Sequence, residues 1–297
     1  MRYLVTGGAG FIGSNIALIF EEQGHDVVVA DNYRTGTPQN LADFNGTILD
    51  LDVSRKFSIH GTFDAIFHQA AVTDPREPDD EETIRNNIEG FERIIELAQR
   101  EQAKLIYASS GSLYGNGPAP QQEDQEKELM SAYAESKLRM DEMAEDLFED
   151  MHIVGLRYFN VFGPNEAHKG RPASMIYHLS QQMMSGQRPK IFHDGEQKRD
   201  HIYVKDCVLA NEKVLTAPSG VYNVGTGVGT TFNEVVLYIN RALGTSLEPD
   251  YIENPYEGTY QEHTQADTTK AEKHLGFTAQ YSTEDGIRDY VGILKNS

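Results

Sequence analysis

The residues Thr6-Gly7-Gly8-Ala9-Gly10-Phe11-Ile12-Gly13 restrict what this chain can fold into more than any other stretch. They follow a β-rich run, Arg2–Thr6, and open a helical pattern from Phe11 to Gln23. In a strand–turn–helix unit, Gly7 permits the tight turn and Gly10 lets the backbone approach a pyrophosphate. Gly13 allows helix and strand to pack closely, and the amides of Phe11 and Ile12 stand at the helix N-terminus that faces the phosphates. A glycine-rich turn alone is a weak signal. The context strengthens it, because a second strand, Val27–Ala30, ends at Asp31, whose carboxylate can accept hydrogen bonds from an adenosine ribose. Asp31 favours NAD, since a 2′-phosphate would meet a like charge. Arg34 keeps NADP open as a phosphate clamp, its plainer reading being an exposed loop charge.

The first half of the chain alternates strands and helices. Strands are expected at Ile48–Leu51, Ala65–His68, Lys104–Ala108 and Ile153–Arg157, with helices at Thr83–Arg100 and Ser131–Phe148. That alternation predicts an α/β fold, a Rossmann-type doubly wound parallel sheet. After Val161 the rhythm breaks. Helices at Ser174–Ser185, Glu234–Leu243 and Thr283–Leu294, and strands at Lys190–His193 and Asp200–Val204, suggest a small C-terminal substrate-binding lobe. The expected division is 1–163 plus 199–230 for the dinucleotide and 164–198 plus 231–297 for the substrate.

The 46 acidic and 26 basic residues give a net charge of −20. Such a surface repels phosphate backbones and anionic lipid, so neither nucleic acid nor membrane is expected as a partner. Cys207 is the single cysteine, which fits a reducing, cytoplasmic setting. Met1 leads straight into a strand without a signal-peptide pattern. The acidic stretches Asp74–Glu82 and Glu123–Glu128 lack the ligand spacing of a calcium loop and read as solvated loop and helix-start residues. No metal site is expected.

Tyr133 and Lys137 share a helix face, one turn apart. A free tyrosine titrates near about 10. A neighbouring ammonium favours its phenolate, as an acid–base group working near neutrality requires. Ser110 and Ser112, after the strand at Lys104–Ala108, offer hydroxyls to hold a substrate alcohol against that phenol. Alone, a Tyr–Lys pair at helical spacing is commonly chance. Behind a dinucleotide turn and a serine-rich strand end, it reads as catalytic.

Together these residues resemble the nucleotide-sugar enzymes of the extended short-chain dehydrogenase/reductase family. The shared features are the glycine-rich opening, Asp31-Asn32, the loop from Ser109-Ser110 to Tyr114-Gly115, and Tyr133 to Lys137. The resemblance covers essentially the whole chain. It implies cofactor contacts from Asn32, Asp50, Leu51, Gln69, Ala70, Ala71 and Asn87, and a homo-oligomer paired through the helices at Thr83–Arg100 and Ser131–Phe148.

The serine loop, Ser110-Gly111-Ser112-Leu113, lacks the acids that the family's dehydratases and decarboxylases carry there, so epimerisation or simple oxidoreduction remains. The run Gly163-Pro164-Asn165-Glu166-Ala167-His168-Lys169-Gly170 is similar to that of the family's ADP-heptose 6-epimerases, where it supplies a second catalytic lysine, here Lys169. That resemblance implies contacts to a nucleotide diphosphate sugar from Asn160, His178, Phe192, Arg199 and Tyr260. Ser112 is closer to the loop of UDP-hexose 4-epimerases, and Pro38 stands where the 6-epimerases carry an NADP-binding lysine. A UDP-hexose 4-epimerase and a non-catalytic dinucleotide sensor are the alternative readings.

Overall fold

A computed structural model describes residues 1–73, 79–254 and 261–296. In chain order the strands are β1 (Arg2–Thr6), β2 (Asp26–Asp31), β3 (Thr47–Asp50), β4 (Ala65–His68), β5 (Lys104–Ser110), β6 (Ile153–Tyr158), β7 (Asn160–Phe162), β8 (Lys190–Phe192), β9 (Lys198–Arg199), β10 (His201–Tyr203), β11 (Gly220–Val224), β12 (Thr230–Thr231) and β13 (Asp250–Ile252). The helices are α1 (Phe11–Glu22), α2 (Asp80–Glu101), α3 (Ala132–Glu145), α4 (Met175–Met184), α5 (Val204–Lys213), α6 (Phe232–Leu243), α7 (Thr269–Leu275) and α8 (Thr283–Leu294).

Seven strands form one sheet in the order β11-β6-β5-β4-β1-β2-β3, every neighbouring pair parallel. The central strands are continuous apolar runs because both faces are covered. Ile16, Ala17 and Phe20 of α1 pack with Cys207, Val208 and Ala210 of α5 over Val5, Val29 and Phe67 on one face. On the other, Phe91, Ile94 and Ala98 of α2 and Met140 and Ala144 of α3 cover Leu4, Ile66 and Leu105. Order reverses between β1 and β4, and a parallel α/β sheet binds ligands at the carboxyl edge of that switch. A smaller lobe gathers α4, α6 and α8 around Phe162, Leu179, Val235 and Ile287, with three two-stranded ladders at its border, β10–β7, β12–β9 and β13–β8.

Local chemistry fixes the element ends. Asp79 caps α2 by accepting from the Glu82 amide at 2.7 Å, and Asp80, Glu81 and Glu82 fill its first turn, which suits the helix dipole. Part of the first acidic stretch is therefore a helix start, and residues 74–78 lie outside the described residues. Glu123 departs from the solvated reading. Its carboxylate accepts from the Asn223 amide at 2.8 Å and its carbonyl from Arg157 Nη1 at 2.8 Å. The strand expected at Asp200–Val204 is shorter, because Val204 is already the first residue of α5.

Candidate active site

The glycine turn closes by bonds from the Gly7 amide to the Ala30 carbonyl at 2.8 Å and from the Gly10 amide to the Gly7 carbonyl at 3.0 Å. Gly7 has φ +67°, and a Cβ there would lie 2.6 Å from the Ala70 amide nitrogen. A Cβ on Gly13 would lie 2.2 Å from the Gly7 carbonyl oxygen, so neither position tolerates a side chain. Over Gly10 the same atom would meet only the Gly7 oxygen, at 3.1 Å. Gly10 also caps α1 without a side-chain oxygen. The amides of Phe11, Ile12 and Gly13 thus begin a helix with no carbonyl before them to bond, which is the donor set a pyrophosphate takes.

Asp31 is buried at the end of β2, where Oδ2 accepts from the Ala9 amide at 2.9 Å and Oδ1 from the Tyr33 amide at 2.7 Å. The carboxylate is thereby locked beside the turn with lone pairs left for ribose hydroxyls. Asn32 is exposed and accepts from the Arg34 amide at 3.0 Å. The Arg34 guanidinium is engaged by Glu82 of α2 at 3.0 Å. Asp50 and Leu51 end and follow β3, next to β2; the Leu51 amide bonds the Asp31 carbonyl at 3.0 Å. Gln69, Ala70 and Ala71 follow β4, half-buried beside Gly7. This cradle fits a dinucleotide. Asn87 is buried and ties α2 to the segment after β4 and to α3. It accepts from the Val72 amide at 2.7 Å and donates to the Val72 carbonyl at 3.1 Å and to Ser136 Oγ at 2.9 Å. With both amide hydrogens committed, it offers a ligand one remaining lone pair.

Beside the cradle, α3 lies against the end of β5. Ser131 caps α3 through the Ala134 amide at 3.2 Å, which sets the helix phase that aims Tyr133 and Lys137 together. Lys137 is 1% exposed, and its ammonium donates to the Ala108 carbonyl at 2.7 Å and lies 5.7 Å from the Tyr133 ring centre. Burial pulls Lys137 down to about 8, against the pull of Asp141. Burial also raises the Tyr133 phenol above its usual value, opposed by its hydrogen bond with Ser110. At rest Tyr133 is therefore a phenol. Ser110 Oγ donates to Ser112 Oγ at 2.9 Å, so both hydroxyls belong to one chain of bonds with Tyr133.

Sequence reasoning missed what supports this pair. Asp141, one turn beyond Lys137, is buried and accepts from Tyr107 Oη at 2.9 Å, Ser109 Oγ at 3.0 Å and Arg157 Nε at 2.9 Å. Arg157 also donates to Tyr114 Oη at 2.9 Å, which donates to Asn223 Oδ1 at 2.6 Å. This buried network joins the floor of the serine loop to α3, β6 and β11. Its signal in the sequence was the Lys137–Asp141 spacing alone.

Lys169 lies in a short turn, Ala167–Lys169, with its ammonium 5.4 Å from the ring centre of Phe11, the first residue of α1. The fully buried Glu166 pins this loop. It accepts from the Gly163 amide at 3.1 Å, the Ser174 amide at 2.6 Å and Ser174 Oγ at 2.9 Å. The residues expected at the sugar nucleotide come from the lobe and its border. Asn160 opens β7 and accepts from Thr264 Oγ1 at 2.9 Å. His178 sits half-buried on α4, and Phe192 ends β8. Arg199 is buried on β9, its guanidinium 6.0 Å from the Phe232 ring centre. Tyr260 lies outside the described residues.

The chain matches the NAD dependent epimerase/dehydratase family over residues 3–225. It is 36% identical, over an alignment 313 positions long with its gaps, to an ADP-L-glycero-D-manno-heptose-6-epimerase of Brachyspira hyodysenteriae, covering 99% of this chain and 98% of the relative. The crystal structure of the Helicobacter pylori ADP-L-glycero-D-manno-heptose-6-epimerase superposes with a TM-score of 0.93 at 38% identity, covering 100% of this chain and 96% of that one. The Thermotoga maritima UDP-glucose 4-epimerase, solved with UDP-glucose, gives a TM-score of 0.91 at 30% identity, covering 100% and 99%. By these full-length likenesses the chain belongs to the NAD-dependent epimerase/dehydratase family.

Proposed function

We propose that this protein is an isomerase that inverts carbon 6 of ADP-glycero-manno-heptose, with NAD held in the cradle around Gly7, Gly10 and Asp31. The observation that carries this reading is the approach of Lys169 Nζ to Phe11 at the mouth of the cradle, a second cation besides Lys137. A dinucleotide held by the glycine turn and Asp31 would supply a hydride acceptor and donor for the carbinol carbon, and in its oxidised form a positive charge that favours a Tyr133 phenolate. The chain's own groups handle the protons. Tyr133 Oη, aligned by Ser110, takes the hydroxyl proton of one epimer and restores it on return. Inversion puts the other epimer's hydroxyl on the opposite side of the carbon, so a second carrier serves it, and Lys169 Nζ is that carrier. Lys137 lies one turn from Tyr133 and would donate to the ribose of a bound nicotinamide.

NAD is favoured over NADP because Asp31 borders the ribose position and Arg34 is paired with Glu82. The lobe, 164–198 plus 231–297, takes the sugar nucleotide. Arg199 at its border neutralises the diphosphate, and Asn160, His178 and Phe192 shape the remaining contacts. Subunits pair through α2 and α3, which lie side by side on one face of the sheet.

A UDP-hexose 4-epimerase is the second reading. The bonded Ser110–Ser112 hydroxyls favour it, since they serve a mechanism that needs Tyr133 alone. The test is to incubate the purified enzyme, without added cofactor, separately with ADP-D-glycero-D-manno-heptose and UDP-glucose, and follow the epimer ratio by NMR. Inversion of the ADP-heptose alone is expected. Inversion of UDP-glucose instead would move the protein to the second reading.

A further inference from the structure

The loop that carries Lys169 is fastened to the dinucleotide cradle by side chains that include Asn40, which belongs to none of the motifs above. Asn40 is buried in the short turn Pro38–Leu41 that follows β2. Its Nδ2 lies 3.0 Å from the Ala9 carbonyl of the glycine turn, 3.2 Å from the Asn165 carbonyl and 3.0 Å from His168 Nδ1. The Thr37 amide bonds the same Ala9 carbonyl at 3.0 Å, so the turn itself is fixed to the cradle. Two further bonds run beside it. Asn165 Nδ2 donates to Ser14 Oγ at 3.1 Å, and Asn15 Nδ2 donates to the Pro164 carbonyl at 2.9 Å. Glu166 closes the loop on its other side, onto Gly163 and Ser174. Of these anchors, Asn40 alone bonds both the glycine turn and the carbonyl that holds His168, the residue adjoining Lys169.

We propose that Asn40 is a positioning residue that fixes Lys169 relative to the bound cofactor, by bridging the Ala9 carbonyl to the Asn165 carbonyl, on which His168 beside Lys169 is also bonded. The inference rests on the reading of Lys169 as the second proton carrier. Asn40 reaches no reacting atom. It sets the place of Lys169 in the frame of the glycine turn, the same frame that holds the dinucleotide. Loss of about 1 Å of precision in a proton carrier costs on the order of 100-fold in rate. Loss of the bridge leaves Tyr133, Ser110 and Lys137 where they are, because α3 and β5 take no bond from Asn40.

The consequence is an asymmetry between the two epimers. In the NAD-loaded enzyme, single-turnover reduction of the bound cofactor is read at 340 nm from each epimer in turn, alongside net inversion by NMR. Asn40→Ala keeps reduction by the epimer that Tyr133 serves within about threefold. It slows reduction by the other epimer, and net inversion with it, by about 10- to 100-fold. Asn40→Leu, which keeps a side chain of similar length and removes the donor hydrogens without adding charge, gives the same asymmetry and covers the case in which the alanine variant does not fold. Cofactor content of the purified variants stays near that of the parent. A parallel fall from both epimers, or unchanged inversion, would overturn the proposal. Lys169→Met separates the underlying reading. If that variant reduces the cofactor equally from both epimers and still inverts, Lys169 is not the second carrier and Asn40 has nothing to position. If Lys169→Met shows the asymmetry and neither Asn40 variant does, only the Asn40 proposal fails.

Discussion

His201 on β10 lies between the rings of Phe162 and Phe232, 6.4 and 6.0 Å from their centres, and neither of its nitrogens has a hydrogen-bond partner among the described residues. Burial, with Arg199 nearby, pulls this imidazole down to about 3, and burial with Lys137 does the same for His68 at the end of β4. Both rings stay neutral in the folded protein at pH 5, whereas in the unfolded chain they take up protons below about 6.5. The unfolded state therefore binds more protons, and stability falls with pH from about 6.5 towards 3, at up to about 1.4 kcal/mol per pH unit for each ring. His201→Phe removes one of the two and leaves no unsatisfied polar group behind. In urea unfolding, this variant is expected within about 1 kcal/mol of the parent at pH 7.5 and to lose less stability on going to pH 5. An equal loss in both proteins would contradict the account. The same scale shows what a sequence reveals of a site. Tyr133, Lys137 and the glycines are legible because strand, turn and helix spacing brings them together locally. Asn40 and His168 stand 128 residues apart, and nothing in either neighbourhood announces that they meet.

Between β5, β6 and α3 the deciding interaction is the pair of Arg157 and Asp141, 2.9 Å apart with side chains 6% and 5% exposed. Removing one member of a buried pair strands the other charge. Asp141→Ala is expected to lower stability by about 3–5 kcal/mol in denaturant titration. A loss below about 1 kcal/mol would mean that water reaches Arg157 and that the network does not hold the floor of the serine loop. At this scale the first six sheet strands were legible from alternating apolar runs and helical periods. The seventh, β11, was not. Its sequence, Gly220-Val221-Tyr222-Asn223-Val224, mixes small, polar and apolar residues. It is a strand because it pairs in parallel with β6 and because Asn223 is satisfied by Glu123, Tyr114 and Gln121. α5 escaped notice for a related reason. It begins at Val204 directly after β10, with no turn residue to mark the change of period.

The whole molecule joins a strongly acidic chain, with a net charge of −20, to a proposed doubly anionic ligand. The arrangement is physically consistent when the cations that matter are local. Arg199 is buried at the lobe border, and Lys169 stands at the mouth of the cradle. In such a site fixed donors outweigh the diffuse repulsion of a distant surface, which salt screens over about 10 Å. No helix among the described residues is long and apolar enough to cross a membrane. The fold alone does not separate a 6-epimerase from a 4-epimerase, since both kinds of relative superpose on the entire chain. The claim that most needs testing is therefore inversion at carbon 6 by transient oxidation of that carbon. The direct measurement uses ADP-D-glycero-D-manno-heptose carrying deuterium on carbon 6, in ordinary water and without added cofactor, with the product read by NMR. The account predicts the opposite epimer with its deuterium still on carbon 6. An unchanged epimer, or an inverted one that has exchanged its deuterium for solvent hydrogen, would contradict it.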